Sequence, residues 1–384
     1  MRFEFATTTR IVFGQGTVKE LAPAAKSFGN RALIVAGKSG RRVRELIVQL
    51  KEAEVTVSEF NISGEPTVAV ITSGLEQARA EHCELVIGIG GGSVIDVGKA
   101  IAGLMPNLGQ IYDYLEVVGM GKPLTNRSTP YIAIPTTAGT GSEVTRNAVL
   151  TVTDQKVKVS LRSPLMLPRL AIVDPELTYS LPPEITAATG LDALTQLIEP
   201  FLSNAPNPIT DSICREGICY VSRSLRAAYY HGDNTHARED MAIASLFGGM
   251  ALANAKLGAV HGFAGPIGGT FPAPHGAICA RLLPLVVDMN LKAIRERAPK
   301  QPTLERFSEM SRLLTGNQIA VAEDGIEWLD ELCKSLKVPS LATYGVTKSD
   351  IPEIIIQSKK ASSMKGNPIE LTESELSQIM ELAL

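Results

Sequence analysis

The sequence predicts an α/β N-terminal domain on a mainly parallel sheet, followed by an all-α C-terminal domain. Three observations predict it. The 384 residues suffice for two domains at ~100–200 residues each. Through the first half, short β-branched runs alternate with amphipathic stretches. After Pro182-Pro183 long helical periodicities take over and strand signals nearly vanish.

Taken in order, residues 32–36, 55–60, 85–89 and 131–134 read as strands: they are short, β-branched-rich and bounded by Gly, Pro or Asn. Between them, 42–52 and 67–81 have helical periodicity, and βαβα order places helices on both faces of a parallel sheet. Further strands are expected at 148–152, 157–161 and 170–173. Helices are expected at 184–201, 211–230, 238–261, 283–298, 303–314, 326–336 and 371–382. The proline pair stops a strand or opens a helix, so the domains are expected at 1–182 and 183–384.

Composition narrows the function classes. With 37 Lys+Arg against 40 Asp+Glu, the net charge of −3 lacks the basic excess of a nucleic-acid binder. No run approaches the ~18 apolar residues of a membrane span. The opening Met1-Arg2-Phe3-Glu4-Phe5 lacks the apolar core of a secretory signal, so a cytoplasmic location is expected. Cys83, Cys214, Cys219, Cys279 and Cys333 form an odd set without CxxC spacing, which predicts free thiols. Cys279 near His275 admits a nucleophile–base reading, but a small buried thiol is far commoner.

The strongest local signal runs from Leu85 into Gly88-Ile89-Gly90-Gly91-Gly92-Ser93, then through Asp96 to Lys99. An apolar strand entering glycines and then a helix predicts close backbone approach, positive φ, and an anion site on free helix N–H groups. Pyrophosphate is the expected occupant. The spacing matches neither the dinucleotide fingerprint, which needs Gly at 93, nor a P-loop. A second loop, Thr136-Thr137-Ala138-Gly139-Thr140-Gly141-Ser142-Glu143-Val144-Thr145, also follows a strand. Two such loops at strand carboxyl ends are where ligands of parallel sheets collect.

In the helical half, Asp192 and Gln196 stand at i and i+4 on one helical face. His261 and His275 flank a Gly/Pro-rich segment expected to reverse direction at a helix end. A carboxylate and two imidazoles from separate helices suit Fe²⁺ or Zn²⁺. His82, His231 and His236 sit in polar contexts and read as surface residues.

The ordered set GGGSxxDxxK, TTAGTGSEVT, AIVDPxLTxxLP, GxDALT, VHG, PHG and the late Asn367-Pro368 resembles the iron-containing (group III) alcohol dehydrogenases. Phe13-Gly14-Gln15-Gly16 and Gly64-Glu65-Pro66-Thr67 resemble further landmarks of that family. The resemblance implies a dehydroquinate synthase-like fold: a dinucleotide-binding domain, then a helical metal domain. It implies hydride transfer between nicotinamide C4 and a small alcohol, aldehyde or ketone, with a metal polarising the substrate oxygen. Carried over, Asp192, His261 and His275 match metal-ligand and catalytic positions. Gly90, Gly91, Gly92, Ser93 and Asp96 match the pyrophosphate motif; Thr136, Thr137, Thr140 and Ser142 match the second nucleotide loop, and Lys158 a lysine near the ribose.

Two positions depart from the family pattern. Gln196 stands where a second ligand histidine is usual, and a neutral carbonyl oxygen binds Fe²⁺ or Zn²⁺ more weakly than imidazole. Gly265 stands where a further, non-ligand histidine credited with proton relay is common, leaving solvent, a Thr or a ribose hydroxyl to carry the proton. A weaker metal site is therefore expected. The competing readings are metal-independent reduction, as in maleylacetate reductases, and a catalytically silent nucleotide binder. Against a lyase like dehydroquinate synthase, this chain has the dehydrogenase form of the threonine loop and lacks a rich set of Lys and Arg around the His motifs for a polyanionic substrate.

For the cofactor, Gly37 occupies the place after the first strand where NAD-preferring relatives carry an Asp. Lys38, Arg41 and Arg42 follow and suit a 2′-phosphate, so NADP or dual use with NAD is expected. The resemblance also implies a homodimer or larger homo-oligomer, with alternating residues 2–5 as a pairing edge.

Overall fold

The computed structural model describes residues 2–37, 40–155 and 157–384. These cluster into two compact units: Thr7–Thr137 with Gly141–Tyr179, and Ser180–Leu384 with Ala138–Thr140 and the residues up to Ala6.

The first unit carries strands β1 (Ile11–Phe13), β2 (Arg31–Ala36), β3 (Thr56–Asn61), β4 (Leu85–Gly90), β5 (Tyr131–Pro135), β6 (Asn147–Val152), β7 (Val157–Arg162) and β8 (Leu170–Val173). Six form one sheet in the order β1-β8-β5-β4-β2-β3, parallel at every pairing, and β6-β7 form a separate antiparallel hairpin. Every predicted strand is present to within a residue of its expected ends; β1 is too short to show a pattern.

Helices α1 (Leu21–Phe28), α2 (Arg41–Glu52), α3 (Val68–Ala80), α4 (Gly92–Leu104) and the one-turn α5 (Ile111–Tyr114) complete this unit. The two-residue period of a strand sorts the core into two faces. Leu33 and Val35 of β2 pack with Ile71 of α3 and Ile101 of α4, while Ala32, Ile34 and Ala36 pack with Leu21 of α1 and Leu50 of α2. β4 and β5 are neighbours in register, Gly90 opposite Pro135, so the loops that follow them emerge side by side.

The second unit contains α6 (Pro183–Leu202), α7 (Pro208–Tyr230), α8 (Thr235–Asn254), α9 (Ala259–Thr270), α10 (His275–Arg297), α11 (Thr303–Thr315), α12 (Ala322–Ser335), α13 (Ile351–Lys360) and α14 (Glu373–Ala383). No strand occurs in this part among the described residues. Its core joins the buried faces of these helices, with Leu191, Leu194, Leu197, Ile198 and Phe201 of α6 at its centre.

Three expectations need correction here. The helix expected over 238–261 is two helices, α8 and α9, bent by 97°. The break is held by side chains distant in sequence: Asn367 Oδ1 accepts from Ala259 N (3.1 Å) and Glu199 Oε1 from Val260 N (2.7 Å). Orphan amides at a helix start need such acceptors, and no local residue supplies them. The segment between His261 and His275 is accordingly helical over most of its length. The helix expected from 283 begins at His275, running through Pro284, whose missing N–H interrupts one bond without ending the helix. α13 escapes pattern reading because Ile354-Ile355-Ile356 resembles a strand. Pro352 in the first turn and burial of Ile351, Ile354 and Ile355 make it a helix.

Among the described residues, 2–10 form no strand; the Asn254 side chain brackets Ala6, accepting from its N–H (2.5 Å) and donating to its C=O (2.8 Å). No single helix among the described residues is long and apolar enough to cross a membrane.

Candidate functional site

In the helical unit, α6 presents Asp192, Gln196 and Glu199 at i, i+4 and i+7, one face of the helix. His261 is the third residue of α9 and His275 the first of α10. The two imidazoles lie together, their ring centroids 5.4 Å apart. Each Nε2 lies 3.7 Å from the same oxygen, Asp192 Oδ1. That is too long for a hydrogen bond but close to the ~3.4 Å edge between O and N ligands of one tetrahedral Zn²⁺. Asp192 Oδ1 is buried and has no hydrogen-bond partner, and neither has Gln196 Oε1. A buried carboxylate oxygen without a partner is costly unless a cation meets it, so this donor set fits a divalent metal.

Glu199 completes the arrangement and is a residue the sequence reading misses. Its Oε2 lies 2.6 Å from His261 Nδ1. The carboxylate holds the proton on Nδ1 and turns the Nε2 lone pair toward Asp192, the outer-shell device of metal-binding histidines. Burial opposes the charged imidazole, but the Glu199 bond and the Glu199 and Asp192 charges outweigh it, raising the His261 pKa. Glu199→Gln leaves an acceptor for Val260 but sets an amide against Nδ1. Metal affinity is expected to fall roughly 10–100-fold with the helices intact, as read by chelator competition alongside circular dichroism.

Cys279, one turn after His275 on α10, is fully buried, its Sγ 3.7 Å from His275 Nε2. Asp192, His261, His275 and Cys279 each offer a ligand atom within 4.8 Å of the others. Burial, with the Asp192 and Glu199 carboxylates, pushes the Cys279 thiol well above its ordinary range. All five cysteines are free.

In the sheet unit, the two glycine- and hydroxyl-rich loops meet. Thr136 N donates to Gly90 O (2.9 Å), and a Cβ on Gly91 would lie 3.4 Å from Thr137 Cγ2. Gly91 is the N-cap of α4 and provides no side-chain cap, so amides of Gly92 and Ser93 head the helix. The expected positive φ does not occur there: Gly91 has φ −75°. Glycine is required instead for space, since a Cβ on Gly90 would lie 2.5 Å from Val94 Cγ2. The left-handed glycine is Gly141 in the second loop, at φ +57°.

Asp96 and Ser142 bind each other beneath this surface. Ser142 Oγ donates to Asp96 Oδ1, and Asp96 Oδ2 accepts from Val149 N at 3.0 Å. Both attach to Lys99, fully buried on α4, whose Nζ reaches Ser142 O (2.6 Å), Ser142 Oγ, Thr145 Oγ1 and Asn147 O (2.8 Å each). Burial draws the Lys99 ammonium down to about 8, against the Asp96 and Glu143 charges. Burial likewise pushes the Glu143 carboxyl up to about 7.

Lys158 on β7 pairs with Glu65 at 2.8 Å. A Cβ on Gly37, at the end of β2, meets nothing within 4 Å. Lys38 lies outside the described residues; Arg41 pairs with Glu45 (2.7 Å), and Arg42 donates to the Glu176 carbonyl. Thr140 belongs to the segment that clusters with the helical unit. Gly265 lies one turn beyond His261, and a Cβ there also meets nothing within 4 Å. His82, His231 and His236 are exposed.

The comparisons with known proteins agree over the whole chain. A family model described as iron-containing alcohol dehydrogenase matches residues 8–175. The model for the C-terminal part of that family matches residues 186–384. A 1,3-propanediol dehydrogenase of Citrobacter freundii is 35% identical, over 99% of this chain and 98% of that protein. A crystal structure of a 1,3-propanediol oxidoreductase matches at TM-score 0.93 and 34% identity, covering 100% of both chains. A sulfoacetaldehyde reductase of Bifidobacterium kashiwanohense, solved with NAD⁺, matches at TM-score 0.86 and 32% identity, covering 100% of this chain and 99% of that one.

Proposed function

This chain belongs to the iron-containing alcohol dehydrogenase family and is an alcohol oxidoreductase, and we propose that it acts by metal-assisted hydride transfer between nicotinamide C4 and a small alcohol, aldehyde or ketone. Residues 1–182 hold the nucleotide and 183–384 the metal. The observation that carries the metal part is Asp192 Oδ1, buried without a partner and 3.7 Å from two imidazole nitrogens.

Asp192, His261 and His275 would hold Fe²⁺ or Zn²⁺, with Gln196 a weak further donor; the bound cation supplies a Lewis acid for the substrate oxygen. Glu199 fixes the His261 tautomer. The amides at the start of α4, with Gly90, Gly91, Gly92 and Ser93, take the pyrophosphate, and Thr136, Thr137 and Thr140 offer hydroxyls to the nicotinamide side. Asp96, Ser142 and Lys99 brace the second loop, and Lys158 would serve the ribose. With Gly265 in place of an imidazole, the alcohol proton passes to water or a ribose hydroxyl.

Gly37 leaves room for a 2′-phosphate where a carboxylate would repel it, which supports use of NADP as well as NAD. The chain works in the cytoplasm as a homodimer or larger homo-oligomer; its free thiols accord with a reducing compartment. Assaying short-chain aldehydes by the absorbance loss of each reduced nicotinamide tests the reading. Turnover is expected with both cofactors, that with NADPH at least equal to that with NADH at the same concentration. A clear excess with NADH would reject the cofactor assignment, and failure of every carbonyl despite nucleotide binding would reject the function.

A further inference from the structure

We propose that Cys279 is a direct ligand of the metal, its thiolate standing where the family pattern has the imidazole that Gln196 does not provide. The inference rests on the reading of Asp192, His261 and His275 as ligands, and gives this chain a carboxylate–imidazole–imidazole–thiolate donor set.

The helix makes the placement. His275 and Cys279 are i and i+4 on α10, so both side chains lie on one face, the sulfur 3.7 Å from His275 Nε2. With Zn–S of about 2.3 Å and Zn–N of about 2.0–2.1 Å, a tetrahedral ion sets that S···N edge at about 3.6 Å. Two further edges, from Asp192 Oδ1 to each Nε2, are 3.7 Å, and all four donor atoms lie within 4.8 Å of one another. Three of the six donor–donor edges thus match one tetrahedral ion, with the sulfur on the same helical face as His275.

Two independent observations point to an ion among them. Asp192 Oδ1 and Gln196 Oε1 are both buried without a hydrogen-bond partner, in residues only 2% exposed. Charge favours the thiolate over the amide as the fourth donor. Asp192 with Gln196 gives the buried dication one anionic ligand, whereas Asp192 with Cys279 gives it two. A soft sulfur donor also favours Zn²⁺ over Fe²⁺, which sets this chain apart from what its family's description suggests. No other cysteine joins such a group among the described residues.

The test is reconstitution of the metal-stripped full-length protein with Co²⁺, read by metal content and near-ultraviolet absorption. The wild type is expected to bind one Co²⁺ per chain and to show a thiolate-to-cobalt charge-transfer band. Cys279→Ser and Cys279→Ala are expected to lose the band, and Gln196→Ala to keep it. In chelator competition, Cys279→Ser should bind Zn²⁺ at least about tenfold more weakly, since losing a ligand costs no less than losing an outer-shell partner. Stoichiometric Co²⁺ without a band in the wild type, or a band that survives in Cys279→Ser, overturns thiolate ligation and leaves the three-residue metal site standing. Failure of the wild type to bind Co²⁺ overturns both.

Discussion

Asp192→Asn is expected to lower kcat/KM by about 10³-fold while leaving the metal-free protein at least as stable as the wild type. The carboxylate is 2% exposed, and its Oδ1 meets no hydrogen-bond donor. In the absence of a cation it is therefore a destabilising element, and a neutral isostere removes a desolvated charge. With a cation the balance reverses. The Asp192 oxygen lies equidistant from both imidazole nitrogens, at 3.7 Å. Its loss removes the principal anionic ligand and with it several kcal/mol of transition-state stabilisation; about 4 kcal/mol corresponds to the stated factor. Steady-state kinetics, metal content and thermal denaturation with and without chelator check the three parts together. Full activity in Asp192→Asn, or in wild-type protein after exhaustive chelation, would sink the metal mechanism and leave hydride transfer without a metal.

How much of this could be read from the chain depends on sequence distance. Seven of the eight strands were legible because each announces itself within six residues, which the three-residue β1 does not, and the period-two alternation of β2 already contains both faces of the core. Asp192 and Gln196 were legible for the same local reason. Glu199 belongs to that spacing at i+7, yet its role depends on His261, 62 residues away, so periodicity places it on the face without saying what faces it. Cys279 is the buried thiol its composition suggests, but burial beside His275 Nε2 is a tertiary fact. The α8–α9 bend was hidden because its capping acceptors are Glu199 and Asn367, 61 and 108 residues from the amides they take. Several motifs that carry the family resemblance prove to be internal braces. Asp174 accepts from Gly16 N, Val18 N and Glu176 N at 3.1 Å each, tying the Phe13–Gly16 landmark to the strand that ends at Val173. Glu65 holds Lys158, and Pro66 O accepts from Thr151 N at 2.7 Å, tying the β6–β7 hairpin to the Gly64–Thr67 landmark.

Lys99→Met is expected to be the most destabilising single substitution in the sheet unit, by about 3–5 kcal/mol, the range for removing one partner of a buried charge arrangement. The ammonium is fully buried and reaches four oxygens at 2.6–2.8 Å, with Asp96 Oδ1 at 3.6 Å. Methionine matches its volume but donates nothing, so the carbonyls of Ser142 and Asn147 lose a donor and Asp96 loses its countercharge. Arginine is not a remedy, because a planar guanidinium does not fit acceptors arranged around a compact ammonium. The damage has a direction. Ser142 and Thr145 belong to the loop after β5, so nucleotide affinity should fall together with stability. Asp192, His261 and His275 lie in the other compact unit, so the protein that remains folded should keep its metal. Denaturant unfolding, nucleotide binding and metal content, measured on one preparation, separate these outcomes. A Lys99→Met protein with wild-type nucleotide affinity and an unchanged unfolding midpoint would show that the loop is held by its backbone alone, and that the ammonium is dispensable.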